Sequence, residues 1–131
     1  MSSATQGDSG DRITFGPSAS NIEVLEKLES TGVFKSQLGA FQAAAILAIS
    51  KGLDFSAAPQ SAGTKWNRGS VRPQVLDFLR WYLPTEQPVR NLETLGNLGT
   101  EYIGEMVRVG GYTYAELFEL PESGWRSLDL S

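Results

Sequence analysis

The segment from Leu38 to Ile49 constrains the fold most, because it is apolar on nearly every side of a helix. Its apolar stripe at helical spacing consists of Leu38, Phe41, Ala45, Ala48 and Ile49. A helix with so little polar surface must be covered by other elements, so we predict a central helix, capped by Ser36 and ended by Lys51 and Gly52. Its many alanines allow a neighbouring helix to approach closely.

Helical spacing of apolar residues predicts further helices on both sides of this segment. The first covers residues 20–30, where Ile22, Leu25 and Leu28 share a face and Gly32 follows the last turn. Residues 54–71 contain Pro59, several glycines and serines and no helical stripe, so they are predicted to form a long loop, which is usually functional or disordered.

The C-terminal half predicts two or three more helices. Pro73 fits the first turn of one, and a second spans residues 91–108, where three glycines indicate close packing or a break near Asn97. Thr113 and Glu116 form a capping box that begins a short last helix, which Pro121 closes. The apolar tail from Trp125 to Leu130 is expected to dock on its own domain or on a neighbouring chain.

The N-terminal part of the chain adds a tail and a strand. Residues 1–11 carry no large apolar residue after Met1 and are predicted to be a disordered tail. Arg12-Ile13-Thr14-Phe15 alternates polar and apolar residues, which predicts a short strand. The expected fold is therefore all-α, with four to five helices and one short N-terminal strand in a single domain over residues 12–131.

Composition narrows the possible functions. The chain has 131 residues, no cysteine and no histidine, so it lacks thiolates, disulfides and the commonest general base. Its longest apolar run, residues 43–49, is too short for a membrane span of about twenty residues. The N-terminus shows no basic stretch followed by an apolar core, so no secretory signal peptide is predicted. We predict a cytoplasmic protein that is not an enzyme and that has no membrane contact, cofactor or metal.

Two pairs of acidic residues lie at helical spacing. Glu101 and Glu105 lie four residues apart, and Glu116 and Glu119 lie three apart. Such pairs can bind a divalent cation or share a proton. We interpret them as solvated acidic faces, because no histidine accompanies them.

The clearest indication of binding is the segment Gly63–Arg72, called here the basic loop. Within ten residues it holds three cations, a tryptophan, an amide and two hydroxyls, and no carboxylate. Cations and amides of this kind suit phosphate oxygens, and an aromatic ring can stack on a base. The predicted nucleic-acid-binding residues are Lys65, Trp66, Asn67, Arg68 and Arg72. The alternative is structural: Trp66 fills the core, and Arg68 and Arg72 pair with acids of the C-terminal half.

Charge is unevenly distributed along the chain. The net charge of the whole chain is −4, but residues 61–85 carry +3 and residues 86–131 carry −5. A basic middle and an acidic end can serve two different partners, can attract each other in an oligomer, or can be ordinary solvated faces.

Two family resemblances add expectations. The order strand, helix, helix over residues 12–54 is similar to the ribbon-helix-helix layout, in which paired strands from two chains read the DNA major groove. That resemblance implies a transcriptional regulator, with Arg12 and Thr14 facing outward.

The second resemblance covers about two-thirds of the chain. The motifs Gly32-Val33-Phe34-Lys35-Ser36, Phe41-x-x-Ala44-Ala45 with a closing Lys51-Gly52, and Glu101-Tyr102 leading to Gly110-Gly111 resemble small helical proteins of bacterial Dnd-type DNA phosphorothioation systems. Residues 20–55 also resemble the small Dnd subunit itself, a helical oligomer that binds DNA. The resemblance implies an accessory role in DNA modification or antiviral defence, without catalysis. That subunit's DNA-facing surface is implied to be lysine-rich, whereas this chain is acidic overall, so the basic loop would carry that role.

The sequence therefore leaves two main functions open. The first is a homo-oligomeric accessory protein that binds DNA or a DNA-processing complex through the basic loop. The second is a protein–protein adaptor without affinity for nucleic acid, in which the acidic C-terminal half and residues 125–130 dock on a basic partner.

Overall fold

The computed structural model of the protein describes residues 11–30, 32, 34–83, 87–113 and 116–117. A short strand β1 (Thr14–Phe15) precedes the helices α1 (Ala19–Ser30) and α2 (Gln37–Ser50). A second short strand β2 (Trp66–Asn67) lies between two single 3-10 turns, at Phe55–Ala57 and Arg68–Ser70. The helices α3 (Pro73–Tyr82) and α4 (Pro88–Arg108) follow. The predicted all-α class with a short N-terminal strand is confirmed.

Helix α2 lies at the centre of the fold, as its apolar circumference predicts. Ten of its fourteen residues are buried, and its main neighbour is α4. The Ser36 side chain accepts a hydrogen bond from the Gly39 amide at 3.0 Å, so it caps the helix as expected. Gly52, just beyond the end of α2, has a φ of 62°, which a side chain would disfavour.

The glycines of α4 mark close packing and not a break. Helix α4 runs without interruption from Pro88 to Arg108. A Cβ atom added at Gly99 would lie 1.9 Å from the main-chain oxygen of Ala44, and one added at Gly96 would lie 2.2 Å from the Phe41 ring. The absence of side chains at these two positions therefore lets α4 rest directly on α2.

The start of α4 differs from the sequence prediction. The helix begins at Pro88, three residues before the predicted start at residue 91. Proline fits the first turn of a helix, where its missing N–H would have no intrahelical acceptor, so Pro88 can begin α4.

The chain between α4 and the C-terminus agrees with the predicted capping box. The Glu116 amide donates to Thr113 Oγ1 at 3.2 Å, and the Thr113 amide donates to Glu116 Oε1 at 2.8 Å. The rest of the predicted last helix, and the predicted docking of residues 125–130, lie outside the described residues. So does the predicted N-terminal tail, except for Asp11, which is held in the fold.

The strand–helix–helix order of residues 12–54 is present, and the pairing of the strand is intramolecular. β1 pairs antiparallel with β2 of the same chain, with Thr14 opposite Asn67 and Phe15 opposite Trp66. In the ribbon-helix-helix layout, the strand pairs instead with a strand of a second chain.

A buried amide holds the N-terminal strand region against α4. Asn97 Oδ1 accepts from the Ser18 amide at 2.7 Å, and Asn97 Nδ2 donates to the Gly16 carbonyl at 3.2 Å. The same Nδ2 lies 3.3 Å from Ser61 Oγ, at the entrance to the basic loop. One residue of α4 thus positions both the end of β1 and the start of the loop.

Candidate nucleic-acid interface

The basic loop is fixed to β1 along its middle. The Lys65 amide donates to the Phe15 carbonyl at 2.9 Å, and the Arg68 amide donates to the Ile13 carbonyl at 2.8 Å. These bonds flank the β1–β2 pair and determine which loop side chains face inward. Trp66 faces inward beside Phe15, whereas Asn67 and its partner Thr14 are exposed on the opposite face.

Trp66 forms an aromatic cluster with two core rings. Its ring centroid lies 5.0 Å from that of Phe41 and 5.5 Å from that of Phe15, and the latter two centroids are 6.0 Å apart. Trp66 is half-buried, and both of its aromatic neighbours are fully buried. Tilted rings at these distances stabilise a core beyond the apolar area that they bury. The tryptophan therefore anchors the loop to α2.

Arg68 forms an ion pair with the N-terminal segment. Its Nη1 atom lies 3.0 Å from Asp11 Oδ2, and the Asp11 side chain is 1% exposed. The Asp11 carboxylate also accepts from the Val89 amide at 3.2 Å and from the Arg90 amide at 2.9 Å. Asp11 thus caps the first turn of α4 from a distant part of the chain, in place of Gln87, the residue at the cap position.

Arg72 lies at the junction between the loop and α3. It occupies the position before Pro73, and its amide donates to Gln42 Oε1 of the buried face of α2 at 3.1 Å. Gln42 is fully buried, so this bond gives its amide oxygen a hydrogen-bond donor away from solvent. The main chain at Arg72 therefore fixes the end of the loop.

Lys65 and Asn67 are the two predicted site residues with exposed side chains. They lie on either side of Trp66. All five predicted residues lie in the basic loop, but they differ in how far their side chains are exposed. Trp66, Arg68 and Arg72 are partly buried where the loop is fixed to the fold, and Lys65 and Asn67 face solvent.

Three residues near the loop were not predicted as site residues. The sequence predicts Asp11 in the N-terminal tail and Arg90 just before the helix at residues 91–108, so it predicts no contact for either residue. The sequence predicts Arg12 only as an outward-facing strand residue. In the structure its Nη1 atom lies 3.2 Å from Glu93 Oε1, and its Nε donates to the Thr14 carbonyl. A helix start drawn at Pro88 would have placed Arg90 in the first turn of α4, beside the loop.

The predicted acidic faces are consistent with the structure where it describes them. Glu101, Glu105 and Glu116 are exposed, and Glu105 Oε2 lies 3.1 Å from Arg108 Nη2. Among the described residues, no group of three or more acidic side chains is placed to hold a metal ion. Glu119 lies outside the described residues.

Helix α3 carries the most exposed aromatic surface of the described chain. Phe78, Trp81 and Tyr82 lie together, with the Phe78 ring centroid 6.0 Å from that of Trp81 and 6.2 Å from that of Tyr82. Trp81 is 75% exposed and Tyr82 is 44% exposed. We call these three residues the α3 aromatic face.

Comparisons with protein-family models, with curated proteins and with solved structures give no significant match. The resemblance to Dnd-associated proteins therefore rests on the sequence motifs alone. No helix within the described ranges is both long and apolar enough to cross a bilayer.

Proposed function

We propose that the protein is a non-enzymatic accessory protein that binds DNA through the exposed side of the basic loop. Lys65 contacts a backbone phosphate, and Asn67 and Thr14 donate neutral hydrogen bonds beside it. The observation that carries the proposal is the position of Lys65 and Asn67, which are exposed on a loop whose neighbouring residues are fixed to the core.

A rigid loop favours such a contact energetically. Binding through a mobile loop would cost the conformational entropy of ordering it, whereas this loop is held by the Trp66 cluster and by main-chain bonds to β1. The Arg68 side chain is 26% exposed although it pairs with Asp11, so part of its guanidinium remains accessible from solvent. The segment 61–85, which contains the loop, carries a net charge of +3.

The resemblance to Dnd-associated proteins supplies the biological setting of this proposal, a cytoplasmic role in bacterial DNA modification or defence. Phosphate contacts position a protein on DNA without reading its sequence. We therefore expect binding with little preference for base sequence, as suits an accessory protein of a larger complex.

Fluorescence anisotropy with a labelled DNA duplex tests the proposal. Wild-type protein should bind in low salt, and Lys65→Ala should weaken binding severalfold because one phosphate contact is lost. The control is Lys27→Ala, which removes an exposed lysine from α1, where it lies 3.7 Å from Glu23. Equal affinities of Lys65→Ala and wild type would overturn the assignment of the loop.

We infer that the α3 aromatic face mediates self-association of this accessory protein. Tryptophan and tyrosine dominate the binding energy of many protein interfaces, and Trp81 is largely exposed. The proposed contact is to a second copy of this chain, as in the homo-oligomer expected for the accessory protein. A photoreactive phenylalanine analogue in place of Trp81 should crosslink two copies, whereas the same analogue in place of Ile22 on α1 should not. Equal crosslinking at both positions would contradict this role of the face.

A further inference from the structure

A polar cavity lies between residues 55–64, which include the first two residues of the basic loop, and the first turns of α4. Its volume is about 410 Å³, within the range of small-molecule sites. The side chains that matter for its chemistry are Arg12, Phe55, Thr64, Arg90 and Glu93. We call it the Arg12–Arg90 cavity.

The two arginines give the cavity wall a net positive charge. Its carboxylate, Glu93, has a side chain that is 10% exposed, and both oxygens are already bonded. Oε1 lies 3.2 Å from Arg12 Nη1, and Oε2 accepts from the Gly16 amide at 3.0 Å. The charge of Glu93 is therefore compensated within the wall, which reduces its repulsion of an anionic ligand.

Arg12 retains the capacity to bind an anion while it holds Glu93. Its contacts to Glu93 and to the Thr14 carbonyl use Nη1 and Nε, and a guanidinium has five N–H donors in all. The Arg12 side chain is 34% exposed. Arg90 is exposed in the first turn of α4, and the bond from its amide to Asp11 fixes its main chain there. Two guanidinium groups that line one cavity can donate charge-assisted hydrogen bonds to the oxygens of a phosphate group.

Phe55 adds a feature that a simple phosphate site does not need. It lies in the 3-10 turn at Phe55–Ala57, which Asp54 caps by accepting from the Ser56 amide at 3.0 Å. The Phe55 side chain is 38% exposed at the cavity wall. An aromatic ring beside cationic groups is the combination that binds a nucleobase and its phosphate together.

We propose that the Arg12–Arg90 cavity binds a nucleoside monophosphate unit, with Arg12 and Arg90 at the phosphate and Phe55 against the base. The unit is either a free mononucleotide or the 5′-terminal nucleotide of a strand, which share this chemistry. The cavity is a different site from the Lys65 surface and does not depend on the duplex binding proposed above.

Isothermal titration calorimetry with the full chain tests the cavity. The probes are deoxyadenosine monophosphate, inorganic phosphate and deoxyadenosine. We expect the monophosphate to bind more tightly than either fragment, and Arg90→Ala to weaken it by about tenfold, the loss typical of one charge-assisted hydrogen bond. Phe55→Ala should weaken the binding of the monophosphate but leave the binding of inorganic phosphate unchanged. The matched control is Arg108→Ala, an exposed arginine at the other end of α4.

Several outcomes would overturn the proposal. The proposal fails if the monophosphate does not bind, or if the protein binds the monophosphate and inorganic phosphate with equal affinity. It also fails if Arg90→Ala and Phe55→Ala both bind the monophosphate as tightly as wild type does. Oligonucleotides with and without a 5′-phosphate distinguish the two sources, since a strand end is favoured only if the 5′-phosphate strengthens binding. Lys65→Ala should leave monophosphate affinity unchanged, so failure of the duplex proposal is distinguishable from failure of this one.

Discussion

The pairing of Asp11 with Arg68 yields a prediction that separates a structural from a DNA-contacting role of Arg68. The Asp11 side chain is almost completely buried, and its carboxylate accepts three hydrogen bonds, one from Arg68 and two from amides at the start of α4. Replacing Asp11 with alanine removes the cap of α4, worth about 1 kcal/mol. It also removes a charge-assisted bond worth about 2 kcal/mol. The free energy of unfolding should therefore fall by roughly 3 kcal/mol.

Arg68→Ala should destabilise the protein less than Asp11→Ala does. It leaves the buried carboxylate with its two amide donors, so a loss of about 2 kcal/mol is expected. Because both single variants break the same bond, the double variant should lose less than the sum, with a coupling of about 1–2 kcal/mol. Urea unfolding, followed by circular dichroism at constant pH, measures the free energy of unfolding of wild type, the two single variants and the double variant. Additive losses, or a loss below about 0.5 kcal/mol for Arg68→Ala, would refute this reasoning.

Three further predictions concern stability. Gly99→Ala should lower the free energy of unfolding by about 2–3 kcal/mol, because the new methyl group meets the main chain of α2. In the same urea assay Gly104→Ala should lower that free energy less, because its methyl group would meet only the Val24 side chain. Asn97→Leu should lower the thermal midpoint by roughly 10 °C, since it leaves the buried Ser18 amide without its acceptor; a midpoint equal to that of wild type would contradict this. Trp81→Ala should change the free energy of unfolding by less than about 0.5 kcal/mol, since the side chain is largely exposed; a larger loss would show that it packs in the fold.

The helices were predictable because local signals and tertiary packing agree. Apolar spacing and the Ser36 cap placed α2 within one or two residues, and its apolar circumference correctly implied a central position. The glycines of α4 left a choice between a break and close packing. Only the position of Ala44 against Gly99 decides it, since a glycine in a helix looks the same in the sequence in either case.

The arrangement of the site was less predictable because its contacts join distant parts of the chain. The composition of the basic loop indicated anion binding, but β2 consists of two residues whose pairing depends on β1, fifty residues earlier. The burial of Asp11 depends on Arg68 and on the start of α4, and nothing in the polar sequence around Asp11 signals it. The sequence left the position of Trp66 open between a stacking surface and the core, and the structure places its ring beside Phe15 and Phe41.

The salt dependence of DNA binding tests the central claim most directly. The logarithm of the association constant should fall linearly with the logarithm of salt concentration for wild type, measured between roughly 50 and 200 mM salt. Removing one phosphate contact should reduce the magnitude of that slope by about 1 in Lys65→Ala and leave it unchanged in Lys27→Ala. The same slope in wild type and in Lys65→Ala would contradict the proposal that the exposed side of the basic loop contacts DNA.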